Sequence, residues 1–148
     1  MTQNISGFGA VVSLVASNTF PTGLAITQFA DDADALALGA IAIAESAMGL
    51  NGDLIIWAKA VPLPVVINVI PDSDDDINLQ ILFSANRVGR GKASAQDSIT
   101  LTVSYPDGAT KTFINGAALN SEFGNSIASA GRMKSKAYGF TFENVIGN

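Results

Sequence analysis

Residues 98–105 alternate between polar and apolar side chains without a break. Serine or threonine occupies every even position, and isoleucine, leucine, valine and tyrosine occupy the odd ones. This period of two is typical of a strand with one buried face. Residues 106–108, Pro-Asp-Gly, supply turn chemistry, and residues 110–114 resume as the return strand. The sequence therefore predicts an antiparallel hairpin at this position, with one face packed on a core.

Further strands are predicted where apolar or aromatic residues recur at alternate positions. In residues 136–145, three aromatic side chains share one face, so this segment should close the core. The other predicted strands are residues 8–16, 24–29, 54–61 and 65–70.

Three segments of the first half mark turns or ambiguous structure. Residues 51–53, Asn-Gly-Asp, form a hairpin-type turn. Pro62 and Pro64 mark a strand end or an unpaired edge, because proline cannot donate a hydrogen bond to a sheet. In residues 41–46 alanine favours helix, while alternation and the nearby glycines favour strand. We expect a strand there.

One helix is predicted over about residues 73–88. Ser73 is a suitable N-cap, and the three aspartates that follow it place negative charge at the positive end of the helix dipole. Residues at helical spacing should face the core, and the helix should stop at a glycine; these positions are Ile77, Ile81, Leu82 and Ala85, then Arg87 and Gly89. The expected fold class is mainly β, an antiparallel β-barrel or sandwich with one flanking α-helix, in a single domain over residues 1–148.

Composition excludes several classes of function. The 148 residues contain no cysteine and no histidine. Thiol nucleophiles, Cys/His zinc sites and Ser-His-Asp triads are therefore absent, and we expect neither enzyme activity nor a cofactor. The net charge of -5 disfavours a nucleic-acid-binding surface. Charged residues make up 14% of the chain, against about a quarter in a typical domain. We therefore expect much of the surface to be buried against other copies of the chain.

Two acidic runs and one basic cluster are the charged candidates for function. The first run holds Asp31, Asp32 and Asp34, and the second, in residues 72–76, is explained by helix capping. Neither run has the spacing of an EF-hand, so we expect no metal site. The basic cluster should pair with the carboxylates of a neighbouring subunit; it consists of Arg132, Lys134 and Lys136.

The aromatic side chains could line a ligand pocket or pack in the core. Core packing is the stronger expectation, because most of them alternate along strands. The residues concerned are Trp57, Phe113, Phe123, Tyr138, Phe140 and Phe142.

The sequence offers no targeting or membrane signal. No basic region precedes an apolar stretch near Met1, so secretion is not supported. The most apolar stretch, residues 35–50, is interrupted by glycine and glutamate and is shorter than the roughly 20 residues of a spanning helix. We expect no membrane association.

Six short motifs are spread over most of the chain. They are QFADDAD (28–34), MGLNGD (48–53), PLPVVINVIP (62–71), INLQILFSANRV (within 76–88), YPDG (105–108) and GRMKSKAYGFTFE (131–143). Taken in this order, they resemble the tail tube proteins of contractile-tailed bacteriophages.

This resemblance implies a structural role in a virion. Subunits of that family form hexameric rings that stack into a hollow tube, through which viral double-stranded DNA passes without specific binding. The implied partners are other copies of the chain, the tail sheath protein, the baseplate and the tail terminator. The implied location is the phage tail, with the subunit made in the host cytoplasm.

The resemblance also implies roles for particular residues. A long loop between early strands would contact neighbouring subunits, here residues 31–38 or 50–54, the latter with Asn51 and Asp53. Asp31, Asp32 and Asp34 would face an acidic lumen, which avoids holding DNA because DNA carries about one negative charge per 1.7 Å. The basic cluster would meet acidic residues of an adjacent ring.

Two alternatives stay open. Another ring-forming tail part, such as a baseplate or tail-terminator subunit, would form one ring rather than a polymer. A monomeric ligand-binding β-barrel would instead carry a discrete apolar cavity.

Overall fold

The computed structural model describes residues 9–31 and 33–147, which form ten strands and one helix. In chain order these are β1 (Val11–Ala16), β2 (Phe20–Ile26), β3 (Leu36–Leu38), β4 (Ala44–Met48), β5 (Leu54–Ala58), β6 (Leu63–Val69), α1 (Asp74–Asn86), β7 (Ile99–Ser104), β8 (Thr110–Ser121), β9 (Lys136–Phe142) and β10 (Asn144–Gly147).

The main sheet is antiparallel and turns from one layer into another at β8. Its strand order is β2-β1-β7-β8-β9-β6-β3, and β10 also pairs with β8. The first half of β8 pairs with β7 and β10, and its second half pairs with β9. The sheet is not closed, because β2 and β3 lie at its two ends. The expected mainly β fold with one helix is confirmed, in its sandwich-like form rather than as a barrel.

The turn between the layers lies at Asn115 and Gly116. Asn115 has a φ of 53°, in the left-handed region, and the pairing of β8 is irregular on both flanks of this point. A Cβ atom on Gly116 would overlap the ring of Phe142. Glycine therefore allows β8 to bend over an aromatic core residue, as strands do at sandwich corners.

The core lies between the two layers and under the helix. Alternate side chains of β1, β6, β7 and β9 point inward, and three residues of α1 join them. Leu14, Leu101 and Tyr138 have no exposed surface, and Phe140 is 1% exposed. The predicted strand over residues 98–105, its Pro-Asp-Gly turn and the aromatic face of β9 are confirmed. The single strand predicted over residues 136–145 is divided, because β9 ends at Phe142 and the chain continues as β10, which pairs with β8.

The helix begins as predicted, but it buries a different face. The Ser73 hydroxyl accepts a hydrogen bond from the Asp76 N–H at 3.2 Å, which confirms the N-cap. Ile77 and Ile81, expected to face the core, are 52% and 51% exposed. The buried residues are Asp75, Asp76, Leu79, Leu82 and Phe83. The prediction was right for Leu82 and wrong for Ile77 and Ile81. The buried face is rotated because Asp75 and Asp76, assigned from the sequence to helix capping alone, also bind groups beyond the helix, at Thr27 and Tyr138.

The helix ends earlier than predicted. Its C-cap is Arg87, in an extended conformation, rather than Gly89. The Lys92 ammonium group then contacts the carbonyls of Ser84 and Arg87, so a cation lies at the negative end of the helix dipole.

Several boundaries differ from the predicted ones. β2 begins at Phe20 rather than at residue 24, and β4 covers residues 44–48 rather than 41–46. The segment expected to be an acidic loop, residues 31–38, ends in β3, which pairs with β6. Phe8 lies outside the described residues. The β6 strand starts at Leu63, between the two prolines that were expected to mark a strand end.

Buried carboxylates tie loops to the sandwich. Asp75 accepts hydrogen bonds from the N–H groups of Thr27 and Gln28, both at 2.7 Å, and so attaches the end of β2 to the helix. Asp97 accepts hydrogen bonds from the N–H groups of Asn18 and Thr19 at 2.7 and 3.0 Å. These acids satisfy backbone groups that the sheet leaves unpaired, which is a structural role.

Candidate assembly surfaces

The β4–β5 hairpin, residues 43–59, is the most exposed apolar part of the described chain. Its two strands form a separate two-stranded sheet. Sixteen of the seventeen residues from 43 to 59 are exposed. The large apolar side chains among them are Ile43, Met48, Leu50, Leu54, Ile55, Ile56 and Trp57, between 45% and 108% exposed.

Both faces of the hairpin are apolar. The register pairs Ser46 with Ile56 and Met48 with Leu54 on one face, and Ala47 with Ile55 on the other. The second face also carries Trp57 and a cross-strand ion pair between Lys59 Nζ and Glu45 Oε1 at 2.6 Å. An isolated two-stranded hairpin is marginally stable in water. A hairpin that is apolar on both sides therefore needs to be covered on both sides.

Trp57 and Phe123 correct the prediction that the aromatic residues pack in the core. Trp57 is 45% exposed on the hairpin, and Phe123 is 52% exposed. The Arg87 guanidinium lies over the ring of Phe123, and its Cζ atom is 5.3 Å from the centroid of that ring. The prediction failed for these two because neither lies on a strand of the main sheet, and it is confirmed for the other four aromatic residues.

Asn51 and Asp53 lie at the exposed tip of the hairpin. The turn is closed by a hydrogen bond from the Gly49 N–H to the Asp53 carbonyl at 2.8 Å and by one from the Gly52 N–H to the Gly49 carbonyl at 3.0 Å. The backbone thus fixes the tip, and the Asp53 carboxylate is presented at its end.

Members of the predicted acidic and basic groups meet within one subunit. Arg132 donates from its two terminal nitrogens to the two carboxylate oxygens of Asp31, each at 3.2 Å. The hydrogen bonds from Arg132 lower the pKa of Asp31. Asp32 lies outside the described residues. Asp34 is exposed, and its carbonyl accepts a hydrogen bond from the Asn68 amide at 2.8 Å.

Lys136 is not on the surface. It is 5% exposed, and its ammonium group lies 3.5 Å from Asp76 Oδ1 and 2.9 Å from Gln80 Oε1. The Tyr138 hydroxyl donates a hydrogen bond to the same Asp76 oxygen at 2.5 Å. Burial is the main cause that raises the pKa of Tyr138, and this hydrogen bond raises it further. The basic cluster was expected to contact an adjacent ring, and for Lys136 this prediction is wrong. Lys136 lies on the same face of β9 as the aromatic residues, and that face points into the core. Lys134 is exposed and remains a candidate contact.

An apolar groove runs along the open side of the sandwich, where the sheet does not close. Its larger lobe, about 800 Å³, lies between the β1–β2 end and β3 and includes Phe29, Asp34 and Leu36. Its smaller lobe, about 480 Å³, includes Lys111 and Phe113. Leu38 and Tyr105 line both lobes. We call the two lobes together the open-side groove.

The described residues contain no group of three or more acids placed to hold a metal ion. The carboxylates of Asp75 and Asp76 are instead engaged with backbone N–H groups, and that of Asp76 also with Lys136 and Tyr138. Within the same residues, no helix is long and apolar enough to cross a membrane.

Sequence reasoning missed the groove and the exposure of the hairpin. Residues 54–57, Leu-Ile-Ile-Trp, lack the alternation of the core strands. That lack of alternation was the available signal that neither face of the hairpin is polar.

Comparison with solved structures gives full-length similarity to chains of contractile injection systems. One is a chain of the anti-feeding prophage baseplate, solved by cryo-electron microscopy with six-fold symmetry, with a TM-score of 0.61, 9% identity and coverage of 100% of this chain and 97% of that chain. Another comes from the PVC sheath/tube terminator in the extended state, with a TM-score of 0.56, 10% identity and coverage of 100% and 99%. At this identity the similarity shows a shared fold.

No curated protein matches the chain. A sequence-family model described as "Tail fiber protein gp32" matches residues 3–146. The expected relationship to tail proteins is thereby confirmed at the level of a tail structural protein. Because the match extends over nearly the whole sequence, the chain belongs to the tail fiber protein gp32 family.

Proposed function

We propose that this chain is a non-enzymatic, ring-forming structural subunit of a contractile phage tail, located in a ring at one end of the tube, in the baseplate or the terminator. The similarity to a baseplate chain and a sheath/tube terminator chain carries this proposal, because it extends over the whole length of this chain and nearly all of each of those chains. Family membership supports the tail as the setting.

The hairpin supplies the physical reason for assembly. Its apolar side chains are exposed on both faces, and exposed apolar patches of this kind mark interaction sites in proteins that do not aggregate. In a ring, each hairpin would be covered by neighbouring copies. The low content of charged residues, 14%, has the same explanation.

The repeating subunit of the tail tube is a second candidate. It is favoured by exposed apolar residues on elements other than the hairpin, including Ile77 and Ile81 on the outer helix face and Leu119, Phe123 and Ile127. A subunit that stacks on itself has axial as well as lateral neighbours and needs apolar surface on several sides. Tail sheath protein and passing double-stranded DNA would be its further partners.

Electron microscopy of the purified protein over a concentration series, with mass photometry of the same samples, tests the proposal. Single rings of uniform diameter that do not extend with concentration are the expected result. Hollow tubes that lengthen with concentration would support the tube subunit instead. A particle of 15.2 kDa at every concentration would contradict both and favour a monomeric binding protein.

An acidic lumen is part of this proposal. Replacing Asp31 and Asp32 by lysine should slow DNA ejection from assembled particles while rings still form, because a basic lumen would hold DNA phosphates. Asp34 is left unchanged in this variant, because it also lines the open-side groove. Unchanged infectivity would remove Asp31 and Asp32 from the lumen. Asp31→Asn is the matched control, since it separates loss of the ion pair with Arg132 from reversal of the lumen charge.

A further inference from the structure

We propose that the β4–β5 hairpin of one copy docks into the open-side groove of the next copy, with Asp53 of the hairpin tip facing Lys111 of the groove. This inference rests on the proposed ring-forming function, and it adds the receiving surface and the orientation of the contact. Both halves of the contact are present on the same chain, so every copy can donate one hairpin and accept another.

The hairpin and the groove have matching chemistry. The larger lobe is lined mainly by apolar side chains of β1, β2, β3 and β7, and the smaller lobe mainly by apolar side chains of β3, β6, β8 and β10. Its two lobes, of about 800 and 480 Å³, are in the range of cavities that enclose several side chains. The hairpin carries exposed apolar side chains, which could fill an apolar cavity of this kind.

The area of the hairpin is sufficient for a stable contact. A specific interface of ordinary size covers about 800 Å² per partner, roughly a tenth of a small protein's surface. The accessible surface of this chain is 9266 Å², and residues 43–59 are seventeen of its 148 residues. Because sixteen of those seventeen are exposed, the hairpin carries about the share of surface that such an interface requires.

The groove also has a strand edge along one wall. β3 lies at one end of the sheet and pairs with β6, so its other edge faces away from the sheet. The hairpin strands likewise each have an outer edge beyond the β4–β5 pairing. An incoming strand can add to such an edge through backbone hydrogen bonds while its side chains enter the adjacent cavity.

Charge gives the hairpin its orientation. The smaller lobe contains Lys111, and the larger lobe contains Asp34. Asp53 is the acidic group of the hairpin tip. Within the described residues, neither Asp53 nor Lys111 belongs to an ion pair. Placing the tip at Lys111 joins opposite charges, whereas the reverse orientation would bring the acidic tip to Asp34.

The geometry of this contact leads to a ring. Hairpin and groove are different surfaces of one chain, so the contact is head-to-tail, and a head-to-tail contact whose rotation closes produces a cyclic assembly. A two-fold dimer would require the same surface on both sides.

A charge-swap experiment tests the pairing of Asp53 with Lys111. The Asp53→Lys and Lys111→Glu variants should each raise the concentration at which rings dissociate about tenfold or more, because like charges would face each other. The double variant should return this concentration to within about threefold of the unmodified protein. Glu143→Lys and Arg90→Glu, which change the net charge equally at exposed positions, are the matched controls and should leave it unchanged.

A cross-linking experiment tests the same contact without relying on ring stability. The chain has no cysteine, so single-cysteine variants react at one place only. Asp53→Cys protein mixed with Lys111→Cys protein and treated with a short bismaleimide should give a cross-linked dimer. Glu143→Cys in place of Lys111→Cys should give none.

The outcomes separate this inference from the proposed function. Rings that form normally in both single charge variants, with no cross-link between positions 53 and 111, would overturn the docking contact and leave the ring-forming function standing. A monomer at every concentration would overturn both. Failure of the double variant to recover, while each single variant weakens the ring, would overturn the pairing of these two residues.

Discussion

The sandwich and the β4–β5 hairpin use similar apolar residues in opposite ways. In the sandwich, Leu101 and Phe140 are almost completely buried, and even charged groups such as Lys136 and Asp76 have partners inside the subunit. In the hairpin, Ile55 and Trp57 are about half exposed. The sandwich therefore buries its apolar residues within the subunit, whereas the hairpin leaves its own exposed. Substitutions in the two regions should separate subunit stability from assembly.

The largest loss of subunit stability is expected from the aromatic core. Phe140→Ala should lower the free energy of unfolding by about 3–5 kcal/mol, because it leaves a cavity between β9 and the ring of Phe83. Urea unfolding monitored by circular dichroism measures this change. Phe123→Ala, at an exposed ring, should cost less than about 1 kcal/mol. Equal losses at the two positions would break the distinction between core and surface.

The buried ion pair should rank next. Lys136→Met should lower the free energy of unfolding by about 3 kcal/mol, because it leaves the Asp76 carboxylate buried without its cation. Lys134→Met, at an exposed site two residues away, should change it by less than about 0.5 kcal/mol. If Lys134→Met were the more damaging in unfolding experiments, the assignment of Lys136 to the interior would be wrong.

The hydrogen bonds that Asp97 accepts from Asn18 and Thr19 should contribute less to the free energy of unfolding, and their contribution should depend on pH. Burial raises the pKa of Asp97, but the hydrogen bonds from Thr19, Asn86 and Asn18 outweigh it and hold the pKa below its usual value. The stabilisation is therefore present above about pH 4, the unfolded value, and is lost as the pH falls through the lower folded value.

Asp97→Asn should accordingly cost about 1–3 kcal/mol at neutral pH. It should also flatten the dependence of stability on pH below about pH 4. Thermal melts of both proteins from pH 2 to 7 measure the two effects. If the melting temperatures of the two proteins changed in parallel over that range, the pKa of Asp97 would be the same in the folded and unfolded states.

Substitutions in the hairpin should have the smallest effect on the stability of the subunit and a large effect on ring formation. The double variant Ile55→Ser/Trp57→Ser should change the free energy of unfolding of the isolated subunit by less than about 0.5 kcal/mol, because both side chains are exposed there. Mass photometry should nevertheless show loss of rings. Val88→Ser, at an apolar side chain that is 70% exposed just beyond the helix, controls for any general loss of surface apolarity. Intact rings in the hairpin variant would contradict its role in assembly.

The strands of the main sheet were predictable because their chemistry is local. Residues 98–105 alternate with a period of two, and the Pro-Asp-Gly turn fixes the register of the return strand. The Ser73 N-cap was predictable for the same reason. The buried face of the helix was not, because Asp75 and Asp76 are buried by long-range partners, backbone N–H groups of residues 27 and 28 and the Tyr138 hydroxyl.

The candidate site was predictable only in part. The family resemblance predicted a contact loop at residues 31–38 or 50–54, but the extent of the exposed hairpin around residues 50–54 was not predicted. The larger lobe of the open-side groove is lined by β1, β2, β3 and β7, and the smaller lobe by β3, β6, β8 and β10, strands that are distant in sequence. A surface assembled from such separate segments leaves no local pattern in the sequence.

The positions of β7 and β9 in the sheet have a consequence for synthesis of the chain. Leu14 of β1 pairs with Leu101, and Val66 of β6 pairs with Gly139. Strands from the first half of the chain thus emerge from the ribosome long before the strands that cover their edges, and folding of such non-local sheets is slow. Throughout that interval the nascent chain carries unpaired strand edges, which can pair with other nascent chains. Synthesis of β9 therefore sets the time at which the edges of β6 and β8 are covered and the subunit is protected from pairing with other chains.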